Sequence, residues 1–365
     1  MRAGLWPSPR PRAPLAASTR PASPPPGSGP DSGSEDGALL GRISRLSGHL
    51  VVALVILVVI GGATRVMQAG LACPDWPLCY GALLPGRQMN LQVFLEWFHR
   101  LDAFVVGMAL LVMAAASVLG RRRLPHWLPW IACGALALVA VQGGLGALTV
   151  TRLLASSLVT AHLAAALTLL ALISAVHQIL RRQAGRHPSP HTIRQGDLPG
   201  SPAGKLELVP IGQRFWRRLW RLALLLALAL VMAQCLLGGW MASHWAAEQC
   251  LASGQGCNLL ALHRRLASGA GASLLLLAPL GIVLPGQSRS GRALAVAAGA
   301  LVVLQIALGV VTLRLGLTVP AVTIAHQLGA ALLVALLAGQ FGLSLAPSAP
   351  SLPAPGPAAV LPIRS

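Results

Sequence analysis

Four histidines stand at related points of four apolar stretches: His99 in "FLEWFHRLDAF", His162 in "SSLVTAHLAAAL", His263 in "ALHRRLASGAG" and His326 in "VTIAHQLGAAL". His99 and His162 are 63 residues apart, and so are His263 and His326. One histidine in such a stretch reads as a polar side chain bonded to a neighbouring helix. Four at matched positions point to function, because ionisable groups are costly in apolar surroundings. Two imidazoles facing each other across a helix bundle supply both axial positions of a heme iron. Zinc fits less well, since no cysteine or carboxylate set accompanies the histidines in both halves. Glu96 lies one turn before His99 on the same helix face, whereas the matching position before His263 is Leu260. That asymmetry suggests chemistry at the first pair and a bound, non-reacting group at the second. A water-bathed interfacial glutamate is the plainer alternative. Arg65, Arg100 and Arg264 lie near the same helix ends. Arginine binds carboxylates such as heme propionates bidentately, or it snorkels to the interface.

The elements that carry these residues are membrane spans. The chain is 55% hydrophobic and 10% charged, against about 25% charged in soluble domains. Eight apolar runs cover roughly 48–67, 94–119, 127–150, 157–180, 219–243, 259–284, 293–313 and 320–345, each near the ~20 residues a span needs. The fold class expected is therefore an all-α polytopic membrane protein. A net charge of +19 does not argue for nucleic acid, because the basic residues sit in short clusters between apolar runs. Of the 28 Lys and Arg residues, 21 fall in one alternate set of segments if the N-terminus is cytoplasmic. Three, Arg87, Arg152 and Arg314, fall in the other set. This bias predicts cytoplasmic N- and C-termini.

The two halves resemble each other. "VQGGLGALTVTRLLASSLVTAHLAAAL" faces "LQIALGVVTLRLGLTVPAVTIAHQLGAAL", and "IGGATRVMQAG" faces "LGGWMASHWA". An even number of spans per half makes the repeat parallel, about an axis along the membrane normal. The expected architecture is two pseudo-symmetric four-helix bundles. The boundaries expected are a disordered cytoplasmic tail (1–46), an N-terminal bundle (47–182), a basic cytoplasmic linker (183–218), a C-terminal bundle (219–346) and a low-complexity tail (347–365). Spans two, four, six and eight all start at the outer face. Each histidine is five or six residues in, about 8 Å of helix below that face. Small residues in "GGATR", "QGGLGALT", "LGGWMAS" and "ASGAGAS" let helices, or a flat macrocycle, approach closely. The other six histidines lack repeat partners, and Asp102 has no assigned role.

Two outer loops carry cysteine pairs, Cys73–Cys79 in "ACPDWPLCYG" and Cys250–Cys257 in "EQCLASGQGC". On an oxidising face each is expected as a disulfide, either a staple over its bundle or a redox-active pair. Cys133 and Cys235 lie within spans and read as packing residues.

Together "GGATRVMQAGLACPDWPLCYG", "NLQVFLEWFHRLDA", "SSLVTAHLAAAL", "ALHRRLASGAG" and "VTIAHQLGAAL" resemble the heme A synthase family, most closely its cyanobacterial form, over roughly 45–345. The third loop matches only by its cysteines. The resemblance implies conversion of heme O to heme A. Two successive hydroxylations of the ring C8 methyl group pass through heme I to a formyl group. It implies substrate heme O between His99 and His162, and cofactor heme b between His263 and His326. Glu96 corresponds to the catalytic glutamate, and Cys73 with Cys79 to the first-loop pair. The implied partners are heme O synthase (protoheme IX farnesyltransferase) as donor, cytochrome oxidase assembly as destination, and the lipid membrane. Homo-oligomerisation stays open. The family form favours a cell (plasma) membrane over an organellar inner membrane. The competing reading is a diheme bis-His cytochrome b that carries electrons without acting on the heme.

Overall fold

The computed structural model describes residues 32–185, 211–255, 257–284 and 287–346, the side chains of 32–34 and 211–213 excepted. The described residues form α1 (Ser32–Val66), α2 (Leu91–Leu119), α3 (Trp127–Thr151), α4 (Ser156–Ala184), α5 (Ile211–Ser243), α6 (Ala246–Ser253), α7 (Cys257–Val283), α8 (Arg289–Arg314) and α9 (Pro320–Leu345). All but α6 are long and apolar enough to cross a membrane, which makes eight spans. A 3-10 turn, Gly86–Gln88, interrupts the loop between α1 and α2.

Local chemistry sets several boundaries. Asn90 caps α2 by accepting from Val93 N at 3.0 Å, and Ser288 caps α8 by accepting from Gly291 N at 3.1 Å. Pro320 opens α9, where its missing N–H has no intrahelical acceptor to lose.

Two sequence boundaries need correction. Residues 32–46, expected as disordered tail, belong to α1. The Pro-rich composition stops at Pro30, after which Leu40, Ile43, Leu50 and Leu54 make a buried helical stripe. Glu35 and Asp36 add ion pairs to Arg123 at 3.1 and 3.6 Å. Similarly, the end of the expected linker from 211 onward is the first turns of α5, where Trp220 is buried. Residues 1–31, 186–210 and 347–365 lie outside the described residues. The short helix α6, between α5 and α7, was not anticipated.

Within the first four spans α1 packs on α2 and α4, α2 on α3, and α3 on α4. Within the last four, α5 packs on α7 and α9, α7 on α8, and α8 on α9. Across the middle α4 lies along α9, with α1 against α9 and α4 against α5. The last two contacts use one device. An added Cβ at Gly62 of α1 would overlap the Gln327 side chain of α9, and one at Gly239 of α5 would stand 2.5 Å from Leu163 of α4. Gln327 follows His326, and Leu163 follows His162.

Across the middle, α4 packs along α9 in a seam. Leu167, Leu170, Ile173, Val334 and Leu337 are buried along it. At Gly342 an added Cβ would overlap the Ala175 carbonyl and lie 2.7 Å from its Cα. Between apolar helices in lipid, such close packing replaces the hydrophobic drive available in water. Gly342→Ala is therefore expected to destabilise the fold by about 2 kcal/mol, as overpacking does. A lowered thermal midpoint in detergent reports it; an unchanged midpoint would mean the seam opens without cost.

Candidate functional site

Three of the four histidines sit six residues after the first residue of their helices, α4, α7 and α9; His99 sits eight residues into α2. All four face a glycine of the preceding span. A Cβ at Gly61, Gly146, Gly238 or Gly309 would lie 2.9, 3.5, 3.1 or 3.0 Å from Cε1 of His99, His162, His263 or His326 respectively. The residue four places before each glycine matters as well. In an α-helix its carbonyl bonds the glycine N–H, and the missing side chain leaves that carbonyl open to a neighbour. The backbone carbonyls of Leu57, Gln142 and Gln305 lie within electrostatic reach of His99, His162 and His326. At the corresponding position in α5 the Gln234 side chain meets His263, with Nε2 3.0 Å from Nδ1.

The notch does not by itself mark a ligand. His177 packs against Gly48 in the same way, with a Cβ contact of 2.9 Å. Yet His177 is satisfied, its Nδ1 lying 3.1 Å from Ser47 Oγ and from the Ser44 carbonyl. It ties α1 to α4. By contrast Nδ1 of His99, His162 and His326 is buried and has no hydrogen-bond partner among the described residues.

Pairing separates the two cases. Two metal–imidazole bonds of about 2 Å, with about 1 Å more from each nitrogen to its ring centre, span about 6 Å. The His99 and His162 ring centroids are 6.4 Å apart, with planes at 75°. This is the spacing two axial ligands on one metal ion require. Among the described residues no three His, Cys, Asp or Glu side chains gather as a metal site. Two protein ligands leave the remaining coordination positions to the bound group, as a porphyrin provides them. The glycine notches, which let each ring lie close against a helix backbone, suit such a group.

Glu96 is buried, as is Leu260 at the matching place in α7. Its Oε2 accepts from Cys73 N at 2.8 Å, and its Oε1 pairs with Arg100 at 2.5 Å. Arg100 donates further to the carbonyls of Asp75 (2.6 Å) and Leu78, so it clasps the first loop. Arg65 donates to the Ala242 carbonyl at 2.5 Å and lies 3.9 Å over the Trp245 ring, tying α1 to the second half. Both guanidiniums thus have protein partners, while Arg264 is exposed. Asp102 Oδ2 is buried and without a partner among the described residues.

Both cysteine pairs are disulfides, each with Cα atoms 4.8 Å apart. Cys73 and Cys79 are buried beneath the first loop, and Cys250 lies in α6. Cys133 and Cys235 are free. In the first loop the Asp75 carboxylate accepts from Tyr80 N at 2.6 Å and Gly81 N at 2.8 Å. The Gly81 N–H first, then the Tyr80 N–H and the Arg100 charge, hold it below its ordinary value against the opposing effect of desolvation. A carboxylate whose folded pKa is depressed stabilises the fold above its unfolded value and loses that contribution as pH falls through the folded one. The loop is thus expected to hold at neutral pH and loosen below about pH 4. Asp75→Asn should remove that acid transition from a proteolysis profile; an unchanged profile would exclude Asp75 as its source.

The sequence reading missed the roles of Gln142, Gln234 and Gln305, and it marked Gly61, Gly146 and Gly238 as close-approach positions without assigning each to a histidine; Gly309 was not singled out. Their signal was present as Q-x3-G at 142/146, 234/238 and 305/309, with Leu57 and Gly61 as the variant copy.

Fold and site define a polytopic helical membrane protein with two pairs of intramembrane histidines, each ring seated in a glycine notch. The chain belongs to the COX15-CtaA family of cytochrome oxidase assembly proteins, whose family model matches residues 44–338. The heme A synthase of Shewanella oneidensis is 26% identical over 216 residues, 54% of this chain and 56% of that protein. That of Sphingopyxis alaskensis is 29% identical over 133 residues, 29% of this chain and 37% of that one. Protoheme IX farnesyltransferase 1 of Natronomonas pharaonis is 34% identical over 135 residues, 36% of this chain and 27% of that protein. The matched stretch therefore spans about half the length of the first of these relatives.

Proposed function

We propose that this protein is a heme A synthase working on heme O bound between His99 and His162. The observation that carries the reading is the 6.4 Å separation of those two rings, with buried Glu96 one turn from His99. His263 and His326 hold heme b, which when bound supplies one-electron transfer. Names of similar proteins, heme A synthase and protoheme IX farnesyltransferase, support a heme substrate. We read spans one to four and five to eight as two related bundles, with matching helix contacts in support.

The chain's own part is to bind, orient and stabilise. Each histidine of the first pair ligates from one face. Glu96, held by Arg100 and Cys73 N, keeps a negative charge at the ring edge. That charge stabilises positive charge developing on the methyl carbon, or positions the attacking water. The first oxidation replaces C–H by C–OH with oxygen from water, passes two electrons to an external electron acceptor and releases two protons. The second consumes another water and gives up two more electrons and two protons in the same way, forming a gem-diol that loses water to leave the formyl group. A heme O synthase of the same membrane supplies the substrate, and cytochrome oxidase assembly takes the product. The basic bias of the loops supports cytoplasmic termini in a cell membrane.

Coexpression with a heme O synthase, followed by heme extraction and chromatography, tests this. Heme A, or heme I and heme O, alongside heme b supports the synthase. Heme b as sole pigment of both sites establishes instead the diheme cytochrome b. One observation favours that second reading: both Glu96 oxygens already have protein partners, as a purely structural carboxylate would.

A further inference from the structure

We propose that Gln234 and Gln305 are positioning residues that make the second histidine pair a retaining site, whereas Leu57 and Ala165 leave the first pair open to heme exchange. The proposal rests on the reading of both pairs as heme ligands.

The four histidines differ in how they are held. Gln234 Nε2 donates to the His263 carbonyl at 2.8 Å and lies 3.0 Å from Nδ1 of the same residue. Gln305 Nε2 donates to the His326 carbonyl at 2.9 Å, and its contact with the ring, at 3.5 Å, is with Nε2 and not Nδ1. Each glutamine stands four residues before the glycine that receives the ring, so one turn of helix both seats the ring and holds the main-chain carbonyl of its histidine. Neither grip exists in the first half. The place of Gln234 is taken by Leu57, which has no hydrogen-bonding side chain. Gln142 stands where Gln305 stands, but its Oε1 is buried without a partner among the described residues.

The second difference has a steric counterpart. Gln305 lies across α9 at Gly329, where an added Cβ would overlap its Oε1. Gly329 is three residues after His326, and the residue three after His162 is Ala165. Gly329 leaves Gln305 the room to reach the His326 backbone, and at the matching place in α4 Ala165 adds a methyl group.

The grip matters because the glutamine amides tie down the main chain that carries each histidine, and losing a hydrogen bond that supports a metal ligand typically weakens metal binding. A resident cofactor must be kept through many turnovers, whereas a substrate heme must leave after each one. The gripped pair suits the former and the ungripped pair the latter.

The test exchanges the residues between halves in the full chain. Gln234→Leu with Gly329→Ala copies the first half into the second; Leu57→Gln with Ala165→Gly does the reverse. Heme transfer from each purified protein to excess apomyoglobin is followed optically, and low-spin electron paramagnetic resonance reports ligand orientation. The first variant is expected to release heme b about tenfold faster, with a shifted low-spin signal. The second is expected to slow release from the first pair by a similar factor. If the first variant does not accumulate folded, the second decides alone. Unchanged release and unchanged resonance signals overturn the glutamine assignment while leaving the heme reading intact. Wild-type protein isolated without heme at either pair overturns both.

Discussion

Glu96→Ala is expected to abolish heme A formation while the heme b spectrum persists, and also to free the first loop. The carboxylate belongs to a buried ion pair with Arg100 and accepts from Cys73 N. Removing one partner of such a pair typically costs about 3 kcal/mol, because the other charge is left uncompensated. Arg100 keeps the carbonyls of Asp75 and Leu78, so the loss falls mainly on the Cys73 end of the loop. Alanine alone would confound chemistry with loop anchoring, so Glu96→Gln is the decisive companion. The amide oxygen still accepts from Cys73 N, and the charge is gone. If the charge acts on the methyl carbon or the attacking water, Glu96→Gln should fall by about a hundredfold or more in product formation. Its Cys73–Cys79 disulfide should meanwhile resist reductant as in wild type. Near-full activity in Glu96→Gln would remove Glu96 from the chemistry and leave it as the loop's anchor.

The second large effect is a division between the pairs. His263→Ala or His326→Ala should eliminate the bis-histidine heme b signal in reduced-minus-oxidised spectra while heme O still binds. His99→Ala or His162→Ala should do the converse, leaving heme b and losing extractable heme O and heme A. The 6.4 Å ring separation leaves room for one metal ion between His99 and His162, so neither residue of that pair substitutes for the other. A heme b signal that follows His99 instead would reverse the assignment of the halves.

Much of this was legible before the structure. Span count followed from hydropathy, because a lipid environment admits only long apolar helices. Matched histidines, the unpaired Glu96 and both cysteine pairs were visible as spacing. The boundary at Ser32 was not, since a Pro- and Ser-rich tail masks the amphipathic turns that follow it. The partners of the arginines were not legible either. Proximity in sequence suggested propionates, but which carbonyls lie near Arg65 and Arg100 depends on how a loop and a distant helix fold over them.

By itself, then, the sequence determined the eight spans, the histidine repeat and the candidate disulfides, all of which follow from local composition and spacing. Only the tertiary structure decided which polar groups meet: Glu96 with Arg100 and Cys73, His177 with α1, Gln234 and Gln305 with their histidines. The physical reason is that hydrogen bonds between helices depend on angstrom-scale approach. Here Gln305 reaches the His326 backbone across Gly329, where any side chain would overlap it, and the matching residue after His162 is Ala165.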